Sequence, residues 1–317
     1  MSRNSLVAVG MRNRRFCISM TLPLTVRDGQ FIVNLTNGTV FLGAIQGFYG
    51  VGGIVSPLMA TAMVSHGVHW SYFYFISLSL ALSSFALMGW SFWSYEKEAP
   101  VQLVTTLERT APRQLVEQER PTKVEILKRA LKNKTTILGA LFIFAYQGAE
   151  VAISGWVISF LLNYRNGDLK KLGYVTSGFW AGITLGRFVL VHPAHKIGGR
   201  ISVVVLVIGC AAFQLLVWLV PNVVGDAVAV AIVGLLLGPV YPLATGVFAK
   251  LLPRNIQMSS LGFVGSVGSS GGALAPFLTG LLAQRLGTVV LNPICIALFI
   301  AMEFAWCLLP KERKRRE

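Results

Sequence analysis

Long apolar segments recur eight times along the chain and decide what it can fold into. Each has about 20 residues or more, the length that an α-helix needs to cross the hydrocarbon core of a membrane. Lipid offers the backbone no hydrogen-bond partners, so such segments cross it as helices. They cover approximately residues 39–64, 70–94, 135–162, 173–192, 201–220, 227–249, 258–284 and 288–309. The sequence therefore predicts an all-α, polytopic membrane bundle of about eight transmembrane helices.

The composition excludes a soluble globular domain. Hydrophobic residues make up 54% of the chain and the mean hydropathy is +0.64. Charged residues make up 13%, whereas soluble domains contain about 25%. The four cysteines have neither metal-ligand nor redox spacing, so we expect no metal site and no cofactor.

The positive charge of the chain is a topology signal. The net charge is +15, which would suggest nucleic-acid binding in a soluble protein. If both termini lie in the cytoplasm, 24 of the 28 lysines and arginines fall in cytoplasmic segments. This distribution follows the positive-inside rule. We therefore predict two cytoplasmic termini and no nucleic-acid partner.

The longest polar stretch divides the apolar segments into two followed by six. After Pro121, the residues Val124, Leu127 and Leu131 share one helical face, so a helix lying on the inner membrane surface and a mobile linker are both open. The predicted parts are an irregular cytoplasmic segment (1–38), two helices (39–94), a basic cytoplasmic linker (95–134), a six-helix half (135–309) and a basic cytoplasmic tail (310–317).

A pattern of small residues and proline occurs twice, 219 residues apart, in the first and seventh apolar segments. In each copy a glycine, eight residues, a second glycine, three residues, a small residue and a proline follow in order. Such an offset is typical of transporters built from two related halves. Small residues let helices approach closely in lipid. The helix-packing motif comprises Gly43, Gly52, Gly53 and Pro57 in the first copy and Gly262, Gly271, Gly272 and Pro276 in the second.

The amino-acid sequence around these glycines and in several later segments resembles that of the major facilitator superfamily, in particular fungal members related to the fucose-permease branch. The similarity rests on FYGVGGIVSPLMATAM, FAYQGAEVAISGW, GFWAGITLGR, LGPVYP and PFLTGLLAQRLG, and extends over about residues 34–310. It implies a partial major-facilitator fold, with helices five to twelve of a twelve-helix transporter and the first four absent.

The resemblance also implies a cytoplasmic loop signature of glycine, aspartate and paired basic residues. The matching stretch is VHPAHKIGGR, where Val191 replaces the glycine and His195 the aspartate. A gating role of this loop is thereby weakened. The predicted loop residues are Arg187, Lys196, Gly198 and Arg200.

Glu150 is the acidic residue with the best setting for function. It lies inside an apolar segment, where an ionisable group is costly and normally faces a cavity or a partner. Tyr146, Gln147, Glu150 and Ser154 follow at three- and four-residue steps and form one polar stripe. The resemblance implies that this helix lines the substrate cavity. Proton coupling or substrate binding by Glu150 is the leading interpretation, and a structural pairing is the alternative.

Further polar and aromatic residues could complete a solute cavity by hydrogen bonding and stacking. Tyr241 lies between two prolines, in a helix that, as the resemblance implies, lines the cavity. The predicted proton-coupling and cavity residues are Glu150, Gln147, Tyr146, Trp156, Gln46 and Tyr241.

The expected function is secondary transport of a small organic solute, sugar-like or a drug or secondary metabolite, by alternating access and coupled to protons. The bilayer, the solute and protons are the expected partners. Import and export both remain open. The chain carries no phosphate-binding loop and no recognisable nucleophile with its base, so an enzyme is not expected. The alternative is a truncated, non-transporting membrane protein, either a regulatory remnant or an incomplete gene model.

Overall fold

The computed structural model describes residues 38–69, 71–92, 123–167 and 169–310, and every regular element in these ranges is a helix. The predicted 1–38 segment, most of the 95–134 linker and the 310–317 tail therefore lie largely outside the described residues. The helices are α1 (Gly38–Ser65), α2 (Tyr72–Phe92), α3 (Lys123–Lys132), α4 (Lys134–Arg165), α5 (Leu169–Val189), α6 (Val191–Ile197), α7 (Gly199–Leu219), α8 (Val223–Leu237), α9 (Val240–Leu251), α10 (Arg254–Leu286), a 3₁₀ turn (Thr288–Val290) and α11 (Leu291–Cys307).

Helices occupy all eight predicted apolar segments, which confirms the all-α membrane fold class. Among the described residues, five helical stretches are long and apolar enough to cross a membrane, and two apolar helices are shorter. The five are Lys134–Arg165, Gly199–Leu219, Val223–Leu251, Ile256–Leu286 and Thr288–Cys307, and the shorter two are Phe48–Met63 and Tyr72–Leu87.

The described residues form two compact units. The first contains residues 38–49 and 66–92, and the second contains residues 50–65 and 123–310. In the second unit α4 packs along α10 and α11, while α5 packs along α8 and α7 contacts both α8 and α11. The largest fully buried side chains, among them Trp306, Phe142 and Phe160, belong mostly to α4 and its neighbours.

Glycines set the distance between α4 and α10. A Cβ atom at Gly271 would overlap the carbonyl oxygen of Phe144, and one at Gly268 would overlap the side chain of Ile143. Across the same interface, a Cβ at Gly148 would lie 3.0 Å from that of Ala275. The second copy of the glycine motif is therefore packed against α4, as close helix association in lipid requires.

A second glycine interface joins α5 and α8, and here both helices contribute. A Cβ at Gly182 or Gly186 would overlap a backbone carbonyl of α8, and a Cβ at Gly234 would overlap the carbonyl of Phe179 on α5. Gly238, which follows α8, approaches the carbonyl of Ile183 in the same way. The backbones of α5 and α8 thus touch where the side chains are absent.

The first copy of the glycine motif packs on α5 in the second unit. A Cβ at Gly53 would lie 2.6 Å from the indole ring of Trp180, and one at Gly50 would overlap the hydroxyl of Thr184. The Ser177 hydroxyl donates a hydrogen bond to the carbonyl of Ile54 across 3.1 Å. These contacts belong to residues 50–65 alone.

Helix ends carry ordinary capping chemistry. The Asn133 side chain accepts a hydrogen bond from the Thr135 backbone N–H at 2.9 Å and starts α4. Asn222 caps α8 in the same way through the backbone N–H of Val224 and Gly225. The segment expected over residues 227–249 is one membrane-length stretch, Val223–Leu251, in which α8 and α9 are divided at Gly238 and Pro239. Proline supplies no backbone N–H, so the hydrogen-bond ladder changes there.

The segment after Pro121 is helical, as α3, and Arg129 pairs with Glu125 at 2.6 Å on its exposed side. Residues 123–132 are thus helical.

Candidate functional site

The polar stripe predicted on α4 divides between the inside of the second unit and its surface. Tyr146 and Glu150 are buried, with 0% and 2% of their surface exposed, whereas Gln147 and Ser154 are half-buried. The Ser154 hydroxyl donates to the carbonyl of Val151 in its own helix. The stripe therefore contributes two buried groups, a phenol and a carboxyl, one helical turn apart.

Two further helices bring polar side chains to these groups. Arg187 of α5 interacts electrostatically with both Tyr146 and Glu150. The Tyr241 ring of α9 lies 5.7 Å from the Tyr146 ring, between centroids, and its hydroxyl interacts with Arg187 and Glu150. We call Tyr146, Glu150, Arg187 and Tyr241 the buried polar cluster.

Two atoms of the buried polar cluster could form further hydrogen bonds. The Tyr146 hydroxyl and Oε2 of Glu150 are buried, and within the described residues neither has a hydrogen-bond partner of good geometry, although the two groups interact with each other and with Arg187. A buried polar atom without a partner is costly, so such atoms point to a proton, a water molecule or a ligand in some state of the protein. The cluster can therefore bind or release a proton while Arg187 balances the charge of the carboxylate.

Arg187, predicted as a residue of the cytoplasmic loop, lies in the last turn of α5, and the chain continues as α6 as far as Ile197. The sequence pattern did not connect Arg187 with Glu150, because the two residues belong to different helices.

The other expected loop residues lie at the ends of helices. Lys196 is exposed on α6, and Gly198 separates α6 from α7 with a φ of +117°, which favours glycine. Arg200 lies in the first turn of α7 and donates hydrogen bonds to the carbonyls of Leu309 and Pro310. These contacts hold the end of α11 against the start of α7.

Trp156 lies away from the buried polar cluster, on the interface of α4 with α10. Its indole N–H donates to the carbonyl of Pro276 at 3.1 Å, and a Cβ at Gly280 would lie 2.9 Å from its ring. It also lines an open cavity of about 430 Å³ together with Gln284 and Thr288.

The structure shows few contacts for the remaining predicted residues. Gln46 and Gly43 lie in α1, but their side-chain environment is outside the description. No described atom lies within 4 Å of a Cβ placed on Gly52 or Gly262. A Cβ at Gly272 would meet Val151 at 3.2 Å, and the prolines Pro57 and Pro276 are both inside helices.

Two further polar pairs are buried at positions that the sequence pattern does not single out. Arg165 pairs with Asp226 at 3.0 Å, and the Gln214 amide donates to Asn292 Oδ1 at 2.7 Å between α7 and α11. Asp226 could have been noticed because it follows the helix-capping residue Asn222, a setting that favours an acidic side chain in the first turn.

Known proteins are similar to this chain in sequence and in fold. The family model of the Major Facilitator Superfamily matches residues 36–276 and 172–317. "Bypass of stop codon protein 6" of Saccharomyces cerevisiae is 25% identical over 301 residues, which cover 89% of this chain and 60% of the relative. The cis,cis-muconate transport protein of Acinetobacter baylyi is 24% identical over 263 residues, 80% of this chain and 60% of the relative.

A solved structure agrees at the level of the fold. The major facilitator superfamily transporter FucP, crystallised in the outward conformation, matches with a TM-score of 0.59 at 15% identity over 93% of this chain and 71% of that chain. The chain spans about 60% of the length of the two relatives. With the family model matching most of its length, the chain belongs to the major facilitator superfamily.

Proposed function

We propose that this protein acts in secondary transport of a small organic solute by alternating access, and that Glu150 couples the movement to protons. Membership of the superfamily and the name of the muconate transport relative support the transport part. The buried polar cluster supports the coupling part, and the burial of Glu150 beside Arg187 is the observation that carries it.

The charge of the cluster explains how a proton could drive a conformational change. With Glu150 ionised, its charge and that of Arg187 cancel. When Glu150 is protonated, the cluster gains one positive charge in a medium where an uncompensated charge is costly. Conformations that let Arg187 meet an anion or water then become favoured, and the proton shifts their populations.

The position of the cluster favours proton coupling over direct solute binding for Glu150. A solute would need to reach a carboxyl group that is 2% exposed and a phenol that is fully buried, whereas a proton can pass along hydroxyl groups and water. Gln147, half-buried on the same helix, is the better candidate for solute contact. Trp156 is a candidate at the separate cavity next to Gln284.

The relative's name adds organic acids to the sugar-like and drug-like solutes expected from the sequence. An acid taken up with a proton would be consistent with the net positive charge that the cluster gains on protonation of Glu150. We further propose that both termini are cytoplasmic, on the distribution of lysine and arginine between loops.

The test reconstitutes the full chain in vesicles that contain a pH-sensitive dye. Solutes of the three classes are added outside in turn, and proton movement is recorded. We expect one class to cause proton movement that protein-free vesicles do not show. If no class moves protons, while radiolabelled solutes of each class also fail to enter, the non-transporting alternative is correct and the proposed function is wrong.

A further inference from the structure

A cavity of about 560 Å³ opens between the first turn of α7 and the last turns of α9, apart from the buried polar cluster. Its walls include the apolar side chains of Ile201, Leu243 and Val247, and its basic residues are Arg200 and Lys250. Gly246 lines the middle of the cavity, and no described atom lies within 4 Å of a Cβ placed there. The cavity therefore extends to the backbone of α9, and its walls are both apolar and basic.

The mouth of the cavity lies at one end of the helices. α7 begins at Gly199 and α9 ends at Leu251, and the indole N–H of Trp306 donates to the carbonyl of Arg200 at 3.0 Å near the end of α11. This is the end at which the positive-inside rule places the cytoplasm. Lys250 is thus at the depth of the lipid headgroups.

The cavity carries positive charge without a described counterion. Lys250 is exposed and forms no ion pair among the residues that the structure describes. The guanidinium of Arg200 is held by the main-chain carbonyls of Leu309 and Pro310, and these neutral acceptors do not cancel its charge. An occupant with a negative charge would complement both side chains.

The length of the cavity fits a lipid better than a small anion. Pro242 and Lys250 both line it, and eight helical residues span about 12 Å along α9. The lining therefore runs from the headgroup region into the hydrocarbon region. The chain's own tail, KERKRRE, is an unsuitable occupant because it is itself basic.

We propose that this cavity binds an anionic phospholipid of the leaflet on the cytoplasmic side. The phosphate pairs with Lys250 and Arg200, and one acyl chain lies along Ile201, Leu243 and Val247. Basic pockets between transmembrane helices at the cytoplasmic side are suited to such headgroups. The proposal is independent of Glu150 and of the transported solute.

The experiment titrates the purified full chain, in a neutral detergent, with dioleoyl phosphatidylserine and records the midpoint of thermal unfolding. Dioleoyl phosphatidylcholine and inorganic phosphate are titrated in parallel. We expect phosphatidylserine to raise the midpoint with saturation, and the two other probes to raise it little. Equal stabilisation by phosphatidylcholine would show that charge is not recognised, and equal stabilisation by phosphate would show a small-anion site. Either result overturns the proposal.

Two variants locate the binding site. Lys250→Gln removes one charge and should weaken the apparent affinity for phosphatidylserine about fivefold, the factor expected for one basic residue near an anionic surface. Gly246→Leu fills the cavity and should abolish the stabilisation, while the unfolding midpoint without lipid does not fall. The matched control is Lys196→Gln, an exposed lysine at the same end of the second unit that does not line the cavity. If Lys250→Gln and Gly246→Leu bind phosphatidylserine like the control, the proposal is wrong.

Discussion

Arg165 donates a hydrogen bond from Nε to Oδ2 of Asp226 across 3.0 Å, and only 8% and 2% of the two side chains are exposed. The same guanidinium donates through Nη2 to the carbonyls of Val217, Trp218 and Val220, at 3.0, 3.1 and 3.3 Å. One arginine thus joins the end of α4, the end of α7 and the first turn of α8. This site holds three helix ends together. It lies at the end of the second unit opposite to the cavity between α7 and α9.

Arg165→Gln should therefore destabilise the protein strongly. The change leaves the Asp226 carboxylate without its cation, and loss of one partner of a buried pair costs about 3–5 kcal/mol. The measurement is the free energy of unfolding of the purified protein in detergent. Arg285→Gln is the control, since Arg285 is exposed near the same end. Equal stability of the two variants would show that the pair with Asp226 contributes little.

Alanine at Gly182 should weaken the contact between α5 and α8. Its Cβ would overlap the carbonyl oxygen of Ala231, and such overpacking typically costs about 1–3 kcal/mol. Gly246→Ala is the control, because its Cβ has open space and alanine favours a helix by about 1 kcal/mol. We expect opposite shifts of the unfolding midpoint for the two variants. A stabilised Gly182→Ala variant would mean that α5 and α8 are farther apart than described.

The electrostatic interaction of Glu150 with Arg187 predicts a non-additive pair of variants. Arg187→Gln leaves a buried carboxylate uncompensated and should cost about 3 kcal/mol or more. Adding Glu150→Gln removes that charge, so the double variant should be more stable than Arg187→Gln alone. Unfolding free energies of both single variants and the double variant provide the measurement. Strictly additive losses would show that the two residues do not interact.

Trp156→Phe tests whether the indole hydrogen bond of Trp156 to Pro276 stabilises the contact between α4 and α10. The change removes the hydrogen bond to the carbonyl of Pro276 and keeps an aromatic ring beside Gly280, so a loss of about 1 kcal/mol is expected. Trp218→Phe serves as the control, since Trp218 is exposed and its indole N–H has no hydrogen bond in the described part of the chain. If both substitutions have the same small effect on the unfolding midpoint, the bond to Pro276 is not formed.

The helices were predictable because lipid leaves the backbone few alternatives. The segment expected at 135–162 is α4, Lys134–Arg165, and the one expected at 201–220 is α7, Gly199–Leu219. Hydropathy could not show the division of residues 227–249 into α8 and α9, because Gly238 and Pro239 change the hydrogen bonding without changing the apolar character. The pairing of Asp226 with Arg165 was not predictable either, because the capping pattern places Asp226 in the first turn of a helix but does not show which other helix end lies beside it.

The candidate site was predictable in part. The spacing of Tyr146 and Glu150 on one helix predicted that these two residues form part of a polar site. Both side chains are buried against the helices that pack on α4. The charge partner was not predictable from spacing within α4, because Arg187 belongs to a different helix, α5. Tyr241 joins through the helix break before α9. The roles of these residues in transport remain predictions.

Glu150→Gln provides the most direct test of proton coupling. Vesicles with the wild-type protein or the variant are assayed for two activities, accumulation of solute under an imposed pH gradient and exchange of labelled for unlabelled solute without a gradient. Glu303→Gln is the matched control, as the second glutamate within an apolar segment. We expect Glu150→Gln to lose accumulation and keep exchange, while Glu303→Gln keeps both. Accumulation by Glu150→Gln at the wild-type level would contradict the assignment of Glu150 as the proton-coupling group.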